Sequence, residues 1–321
     1  MTPSAATPSD ASTLSHTPRV AIAQCSAVLG TVERNVAEHL RLARIALAEG
    51  VQAIVFPELS LTGYTLRDLN YDVAIDPASA PELTTLRELS REITIICGGV
   101  EFDRSGAVHN AAWCFENGGL VHSHRKMYLP TYGLFEEQRY FLRGTQLRAF
   151  DSARLGRIGM LVCEDLWHPV LPYLLAQDGA QLVVTIAASP TRLGAGHHSS
   201  GSDPDNYVVN REHHASYARL TGTYQLFVNR VGVEDGVNFW GGSELVSPSG
   251  ETCVRAQFFA DDLVYGEFDP ELVRRARQLS RHSLDEDLPL TRQLFEEIFK
   301  RRRDVHGGDV AAEDSESSTA G

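Results

Sequence analysis

Three residues of this 321-residue chain, Glu58, Lys126 and Cys163, have side chains that could together form a catalytic site, and each follows a short strand-like run. Cys163 ends the apolar run 159–162 and is followed at once by acidic residues. Glu58 follows the apolar run 53–57, and Lys126 follows a third run of the same kind. Such a strand end can present a nucleophile, so the sequence predicts that a carboxylate, an ammonium and a thiol meet.

This trio has a definite chemical use. A thiolate can attack an amide carbonyl, a carboxylate can carry protons, and a lysine can stabilise the oxyanion that develops. Each residue alone is weak evidence, because a cysteine at a strand end is usually a small buried hydrophobe. A single Glu or Lys at that position is usually a solvated turn residue. The three together, each with its own flanking pattern, are a far more specific signal.

With these flanking patterns, the chain resembles the nitrilase superfamily of carbon-nitrogen hydrolases over most of its length. The motifs occur in the family's order: FPELSLTGY at 56–64, RKMYLP at 125–130, GMLVCEDLW at 159–167, VNRVG at 228–232 and GGS at 241–243. The resemblance implies an α/β fold, a four-layer αββα sandwich in which two sheets pack face to face and helices cover both outsides.

Within the superfamily, three stretches look most like the glutaminase domain of glutamine-dependent NAD synthetases. They are KMYLPTYGLFEEQRYF at 126–141, CEDLWHP at 163–169 and ASP at 188–190. Those enzymes carry a fused synthetase domain with its own nucleotide-binding loop, which we do not expect in 321 residues. The segment 231–243 also departs from the synthetase pattern in its middle, so the acyl group of the substrate stays open.

The resemblance assigns catalytic roles to the trio. A free cysteine is mostly protonated at neutral pH, with a pKa of about 8.5, so Cys163 needs a basic or cationic neighbour. Glu58 would take the thiol proton, and Lys126 would stabilise the oxyanion together with a backbone N–H, that of Glu164. The acyl group would pass through a thioester that water then hydrolyses. This chemistry requires no metal and no organic cofactor.

Further residues are expected to support the site. Glu137 matches the family's second glutamate, which holds the lysine and helps to position the substrate, although a salt bridge to Arg139 is the alternative reading. Its neighbour Glu136 is predicted to face solvent. Four residues are candidates for lining the substrate pocket: Tyr64, Tyr132, Trp167 and Ser189.

The histidines do not predict a metal site. The pairs His197-His198 and His213-His214 are adjacent in sequence, and adjacent side chains on a regular element diverge. No carboxylate or cysteine completes an evident ligand set. His168 directly follows the expected catalytic turn, but it would duplicate what Glu58 and Lys126 provide.

Composition narrows the function classes. With 42 acidic against 29 basic residues, the formal net charge is -13, which argues against a nucleic-acid partner. No apolar run approaches roughly 20 residues, so no membrane role is predicted. The five cysteines are odd in number and lack CxxC pairing, which fits a reducing cytoplasm.

Short apolar runs alternate with helical patterns, which is typical of α/β packing. Late strands near 243–247, 251–257 and 262–268 are predicted to be antiparallel, because their turns are too short for a parallel crossover. We expect a leader at 1–18, one carbon-nitrogen hydrolase domain at 19–303 and an acidic disordered tail at 304–321, with a mobile loop at 191–204. The earlier strands are predicted at 19–27, 51–56, 93–100, 110–116, 120–125, 181–186 and 224–231, and helices at 31–49, 81–92, 171–178, 206–221 and 291–303.

The sequence therefore predicts an amidase that cleaves a small linear amide, such as glutamine or a related ω-amide, to the acid and ammonia. A nitrilase and a carbamoyl-amine hydrolase share the same trio and stay open. A different alternative is a glutaminase subunit that works only when docked to a separate synthetase partner. The resemblance also implies a homodimer or higher homo-oligomer.

Overall fold

The computed structural model describes residues 17–191 and 205–316. Most of the predicted leader, nearly all of the predicted mobile loop and the last five residues of the predicted tail lie outside this part. The chain divides into a first unit that ends at Ser280 and a second that begins at Arg281. The second unit contains helix α8 (Leu288–Glu316), which extends beyond Arg303, where the sequence predicts the acidic tail to begin.

The first unit contains fourteen strands and seven α-helices among its described residues. The strands are β1 (Arg19–Gln24), β2 (Ala53–Val55), β3 (Thr94–Phe102), β4 (Val108–Glu116), β5 (Gly119–Arg125), β6 (Phe150–Ser152), β7 (Gly156–Val162), β8 (Leu182–Ala187), β9 (Tyr224–Asn229), β10 (Val231–Glu234), β11 (Val237–Trp240), β12 (Glu244–Val246), β13 (Thr252–Arg255) and β14 (Asp262–Glu267). The helices are α1 (Val32–Ala48), α2 (Asn70–Val73), α3 (Thr84–Leu89), α4 (Glu137–Tyr140), α5 (Val170–Gln177), α6 (Asp205–Thr221) and α7 (Pro270–Leu279).

Two six-stranded mixed sheets organise this unit. The first has the order β14-β1-β2-β3-β4-β5, and the second has the order β13-β12-β9-β8-β7-β6. In each sheet three central strands are parallel, β1-β2-β3 in the first and β7-β8-β9 in the second. The flanking strands are antiparallel, as predicted for the late strands. A two-stranded ribbon, β10-β11, stands apart from both sheets.

The sheets pack face to face, because alternate residues of their central strands are apolar on both sides. Ile22 and Val55 of the first sheet share one buried cluster with Val162, Val184 and Leu226 of the second. This cluster is the middle of the sandwich.

The outer faces of both sheets are covered by helices. Ala21 and Ile54, which point away from the middle, pack in a cluster with Leu40 of α1 and Leu86 of α3. On the other side Leu161 and Val183 share a cluster with Leu171 and Leu175 of α5 and with Tyr207 of α6. The four-layer αββα order is therefore confirmed.

The turn signals of the sequence place several elements well. Helix α1 ends at Ala48, and Gly50 follows its C-cap residue; the positive φ of 71° at Gly50 suits glycine, and its N–H donates to Leu47 O at 3.0 Å. The β4–β5 hairpin turns at Asn117 and Gly118, both with positive φ, as a two-residue loop between Glu116 and Gly119 requires. Gly119 lies before the strand predicted at 120–125 but is already the first residue of β5.

Other boundaries differ from the predictions. The helix predicted at 81–92 is a 3₁₀ turn, Pro81–Leu83, followed by the shorter α3. The strand predicted at 224–231 breaks at Arg230 into β9 and β10. The short elements β6, β11, α2 and α4, as well as α7, were not predicted. None of the described helices is long and apolar enough to cross a membrane.

Gly98 of β3 provides a test of how the first sheet supports Glu58. A Cβ at this position would lie 2.5 Å from Leu59 N and 3.0 Å from Glu58 Cα, so Gly98→Ala must displace that turn. We expect a loss of about 1–3 kcal/mol in the free energy of unfolding, the usual effect of overpacking. Urea unfolding followed by circular dichroism measures it.

Gly119→Ala is the matched control, because a Cβ at Gly119 would meet nothing within 4 Å. We expect the free energy of unfolding to stay within about 0.5 kcal/mol of the parent protein. Equal stability of the Gly98→Ala and Gly119→Ala proteins would contradict the close approach of β3 to the Glu58 turn.

Candidate active site

The topology of the first sheet brings Glu58 and Lys126 to one edge. Glu58 follows the carboxyl end of β2, and the antiparallel pairing of β3 with β4 puts the start of β4 at the same edge. Lys126 directly follows β5, whose end lies beside the start of β4, and its N–H donates to Asn110 O at 2.8 Å. The lysine and the glutamate thus meet across this edge.

The second sheet supplies the thiol. Cys163 directly follows β7, and Ala188 directly follows the parallel neighbour β8. The N–H of Ala188 donates to Glu58 Oε2 at 2.7 Å, so the carboxyl ends of the parallel strands in the two sheets meet. The structure therefore brings Glu58, Lys126 and Cys163 together at one end of the sandwich.

The Glu58 carboxylate is fully buried and held by three donors. Its Oε1 accepts from Lys126 Nζ at 2.8 Å and from Asn110 Nδ2 at 2.6 Å, and its Oε2 accepts from Ala188 N–H. A buried carboxylate is tolerable only when its lone pairs are satisfied in this way. The orientation of the carboxylate is consequently fixed.

Lys126 lies between two carboxylates and is almost completely buried. Its Nζ donates to Glu58 Oε1 and, at 2.7 Å, to Glu137 Oε1. Burial opposes its charge, but the carboxylates of Glu137 and Glu58 outweigh this effect and hold the pKa of Lys126 well above its usual range. The lysine is therefore a fixed positive charge at neutral pH.

Cys163 sits in a backbone conformation that is rare for its residue type. Its φ is +48°, and a 3₁₀ turn, Cys163–Trp167, begins at this residue. Burial raises the pKa of the Cys163 thiol well above its ordinary value, and the carboxylate of Glu58 raises it further. Lys126 and a backbone hydrogen bond at Ala188 act in the opposite direction. The thiol thus keeps its proton at neutral pH until a base takes it.

Glu137 is the first residue of α4, and it contacts Lys126 rather than Arg139. Burial raises the pKa of Glu137 to about 7; Lys126 opposes this rise and Glu58 adds to it. Its Oε1 also accepts from Tyr64 OH at 2.6 Å, while its buried Oε2 has no partner among the described residues. Glu136 is exposed, as predicted.

A cavity of about 570 Å³ opens beside Cys163, a size typical of small-molecule sites. Three of the four candidate pocket residues, Tyr132, Trp167 and Ser189, line it, and their contact with a substrate stays a prediction. Tyr64 does not line it; its hydroxyl is turned to Glu137, and it lines a smaller adjoining cavity of about 250 Å³. The other lining residues of the larger cavity are Gly133, Leu134, Phe135, Cys163, Glu164, Pro190, Thr191, Asn206, Gly236 and Val237.

Glu164 contributes a carboxylate to this cavity. Its two oxygens accept from Tyr132 OH at 3.0 and 3.2 Å. Burial raises the pKa of Glu164, and the Tyr132 hydrogen bond and Lys126 oppose that rise. Among the described residues that line the cavity, Glu164 has the only carboxylate, and none is a lysine or an arginine.

Sequence reasoning did not find every residue that orders this site. Asn110, which holds Glu58, had only been read as the start of a hairpin strand. Glu234 was not singled out, yet its carboxylate accepts from the N–H groups of Tyr64 and Thr65 at 2.9 and 2.5 Å. A single Asn beside a run of small apolar residues was the only local signal for Asn110.

Three histidines that the sequence analysis weighed as metal ligands or as a partner of Cys163 contact other side chains. His168 stacks on Tyr128 with ring centroids 3.3 Å apart, and His213 packs against the ring of Trp167. His214 Nδ1 lies 2.8 Å from Glu244 Oε1. His197 and His198 are outside the described residues.

The sequence model of the carbon-nitrogen hydrolase family matches residues 19–278. Among curated proteins, the glutamine-dependent NAD(+) synthetase of Thermotoga maritima is 29% identical over 255 residues, covering 78% of this chain and 42% of that protein. That of Synechocystis sp. is 30% identical over 269 residues, covering 78% and 46%. This chain therefore spans less than half the length of these relatives.

Solved structures give the same picture. A glutamine-dependent NAD+ synthetase from Acinetobacter baumannii matches with a TM-score of 0.70 and 27% identity, over 80% of this chain and 47% of that one. An amidase double mutant from Nesterenkonia sp. AN1, in complex with acrylamide, matches with a TM-score of 0.71 over 90% of this chain and all of that one. Its identity of 22% supports the fold alone.

The raised pKa of Glu137 predicts a pH dependence of stability. Between its ordinary pKa of 4.5 and the folded-state value of about 7, the folded protein keeps a proton that the unfolded chain has released. The free energy of unfolding should therefore fall as pH rises through this window, by up to about 3 kcal/mol from this group. Urea unfolding of the parent protein and of Glu137→Gln at several pH values between 5 and 8 measures how the free energy of unfolding depends on pH. The contribution of Glu137 to that slope should be absent in the Gln variant.

Glu136→Gln serves as the matched control, since Glu136 is the exposed neighbour of Glu137. This variant should keep the pH slope of the parent protein. A Glu137→Gln protein with the parent's slope would contradict the assignment of that slope to Glu137.

Proposed function

This chain belongs to the carbon-nitrogen hydrolase family, and from that premise we propose that it hydrolyses a small linear amide to a carboxylic acid and ammonia through a thioester on Cys163. The observation that carries the proposal is the buried ion pair of Glu58 with Lys126 at the strand end next to Cys163. A base and a fixed cation beside a thiol are what acyl transfer to sulfur needs.

In the acylation half, Cys163 Sγ attacks the amide carbonyl carbon while Glu58 takes the thiol proton. The carbonyl oxygen becomes an oxyanion, which Lys126 Nζ and the backbone N–H of Glu164 stabilise. Collapse of the tetrahedral intermediate breaks the C–N bond, and Glu58 delivers its proton to the departing nitrogen. Ammonia leaves, and the acyl group stays on Cys163 as a thioester.

In the second half, water attacks the thioester carbonyl and Glu58 accepts its proton. The C–S bond breaks, the acid leaves, and Glu58 passes the proton it took from water to the departing sulfur, which restores the thiol and the carboxylate. The three hydrogen bonds to Glu58 support this double use, because they hold the carboxylate in one orientation for both proton transfers. The high pKa of Lys126 supports its role as a permanent cation.

The lining of the larger cavity supports an amide whose far end carries a cationic amine. Its walls are largely aromatic and aliphatic, and Glu164 is its one carboxylate among the described residues. An α-ammonium group beside Glu164 would form a charge-assisted hydrogen bond. Glutamine has such a group, and the curated relatives are named glutamine-dependent.

Cys163→Ala tests the reaction itself. We expect ammonia release from the best substrate of a panel of amides and nitriles, with glutamine included, to fall by at least about 10³-fold, because no thioester can form. The parent protein should show the acyl adduct by intact mass after rapid quenching. The Lys126→Met variant keeps the thiol but lacks the cation that stabilises the oxyanion, so its kcat should fall about 10²–10³-fold. Undiminished turnover by Cys163→Ala would refute the proposal.

Glu164→Gln tests the substrate class. We expect kcat/KM for glutamine to fall by roughly 10–100-fold, the usual effect of losing one charge-assisted contact, and that for a neutral amide such as propionamide to change by less than about threefold. Steady-state ammonia release with both substrates measures this. Equal losses for both would assign Glu164 to the chemical step instead.

A second candidate is suggested by the length of the relatives, whose glutaminase-like part is less than half of each synthetase. This chain could act as the glutaminase subunit of a separate synthetase and stay nearly inactive alone. Cys163-dependent glutaminase activity that rises at least about tenfold with such a partner favours this candidate, and full activity of the isolated chain contradicts it. A nitrilase is distinguished by the nitriles of the same panel, and a carbamoyl-amine hydrolase by an N-carbamoyl amine added to it.

A further inference from the structure

Asp165, two residues after Cys163, is completely buried and accepts four hydrogen bonds. Its Oδ1 accepts from the backbone N–H groups of Met127 and Tyr128, both at 3.0 Å. Its Oδ2 accepts from Val162 N–H at 3.1 Å and from His124 Nε2 at 2.8 Å. A carboxylate has about four lone-pair sites, so this set uses its full capacity.

The four donors belong to two segments that come from different sheets. His124, Met127 and Tyr128 flank Lys126 at the end of β5, while Val162 directly precedes Cys163 at the end of β7. One carboxylate therefore ties together the backbones that carry the cation and the nucleophile.

The backbone conformation of the turn at Cys163 has to be stabilised by hydrogen bonds of this kind. A non-glycine residue with positive φ is strained, and it persists only where the surroundings over-determine it. The bond from Val162 N–H to Asp165 closes the turn around Cys163 from within. His124 bonds to the same oxygen, Oδ2, and its imidazole must carry its proton on Nε2, because a carboxylate can only accept.

On these contacts, and resting on the proposed function, we propose that Asp165 is a positioning residue that holds the Cys163 thiol in reach of the Lys126 ammonium. It touches neither substrate nor the reacting atoms. Its effect on the reaction passes through the two backbone segments that it joins. A displacement of about 1 Å between the thiol and the lysine is enough to slow the reaction about 10²-fold.

Asp165→Asn is the decisive substitution, because the amide keeps the shape but has only one accepting oxygen. At least one backbone N–H would then face an NH₂ group. We expect kcat to fall about 10²-fold with KM changed by less than about threefold. The rate at which iodoacetamide alkylates Cys163, measured at pH 8 in a Cys253→Ser background, should fall about tenfold, since Lys126 supports the thiolate.

A double-mutant cycle with Lys126→Met separates positioning from general loss of structure. If Asp165 acts by aligning Cys163 with Lys126, then Asp165→Asn should change the alkylation rate by less than about twofold once Lys126 is gone. An additive effect of the two substitutions, an increased alkylation rate, or an unchanged kcat would each overturn the proposal.

Glu116→Gln is the matched control. Glu116 is also buried and accepts from the backbone N–H groups of Ala153 and Arg154, but it lies at the far end of β4, about 20 Å from Asn110. We expect a lower Tm but an unchanged kcat and alkylation rate for the folded protein. An effect on alkylation as large as that of Asp165→Asn would show that any buried carboxylate matters equally, and would overturn the proposal.

His124 provides a second route if Asp165→Asn fails to fold. His124→Leu removes one of the four donors and should lower kcat about 3–10-fold, whereas His124→Gln places an amide N–H near the position of Nε2 and should restore most of it. Equal activity of the two variants would overturn the positioning role. If no amide is hydrolysed by the parent protein but the alkylation cycle behaves as expected, the proposed function fails and the positioning role stands.

Discussion

The site depends on one buried arrangement of charge, a lysine held between two carboxylates. Lys126 bonds to Glu58 and Glu137 where all three side chains are almost fully removed from water. Burying a single ion of this kind is strongly unfavourable, and only mutual attraction with good geometry offsets that penalty. The rest of the first unit must therefore hold these three side chains within hydrogen-bonding distance of one another.

The sandwich of two sheets meets this demand because strand ends are rigid and share edges. Parallel β2 brings Glu58, and the β4–β5 hairpin brings Asn110 and Lys126 back to the same edge. The second sheet adds Cys163 and the backbone N–H of Ala188 from two adjacent parallel strands. The face-to-face core thus fixes the distance between the thiol and the base, and the loops beyond the strands line the cavity.

Much of this arrangement could be predicted from sequence, since each member of the trio follows a strand-like run and the flanking motifs have a recognisable order. Long helices such as α1 and the β4–β5 hairpin were predictable because their periodicity and turn residues are local signals. The short ribbon β10–β11 was not, because its strands belong to neither sheet and lack a core pattern. Tyr64 illustrates the same limit: its motif predicted a pocket residue and it lines the smaller cavity, but the direction of its hydroxyl depends on Glu137, 73 positions away in sequence.

The charge balance also explains why the nucleophile rests as a thiol. Glu58 and Glu137 bring two carboxyl groups to a single ammonium, so a thiolate at Cys163 would place a further negative charge beside them. Burial is the largest cause of the raised pKa of Cys163, the carboxylates of Glu58 and Glu137 add to it, and Lys126 only partly compensates. In the proposed reaction the negative charge need not accumulate on sulfur, because the substrate carbonyl receives it as the proton moves to Glu58. Lys126 then stabilises an oxyanion that exists only during the reaction, and this difference between ground state and transition state is the source of catalysis.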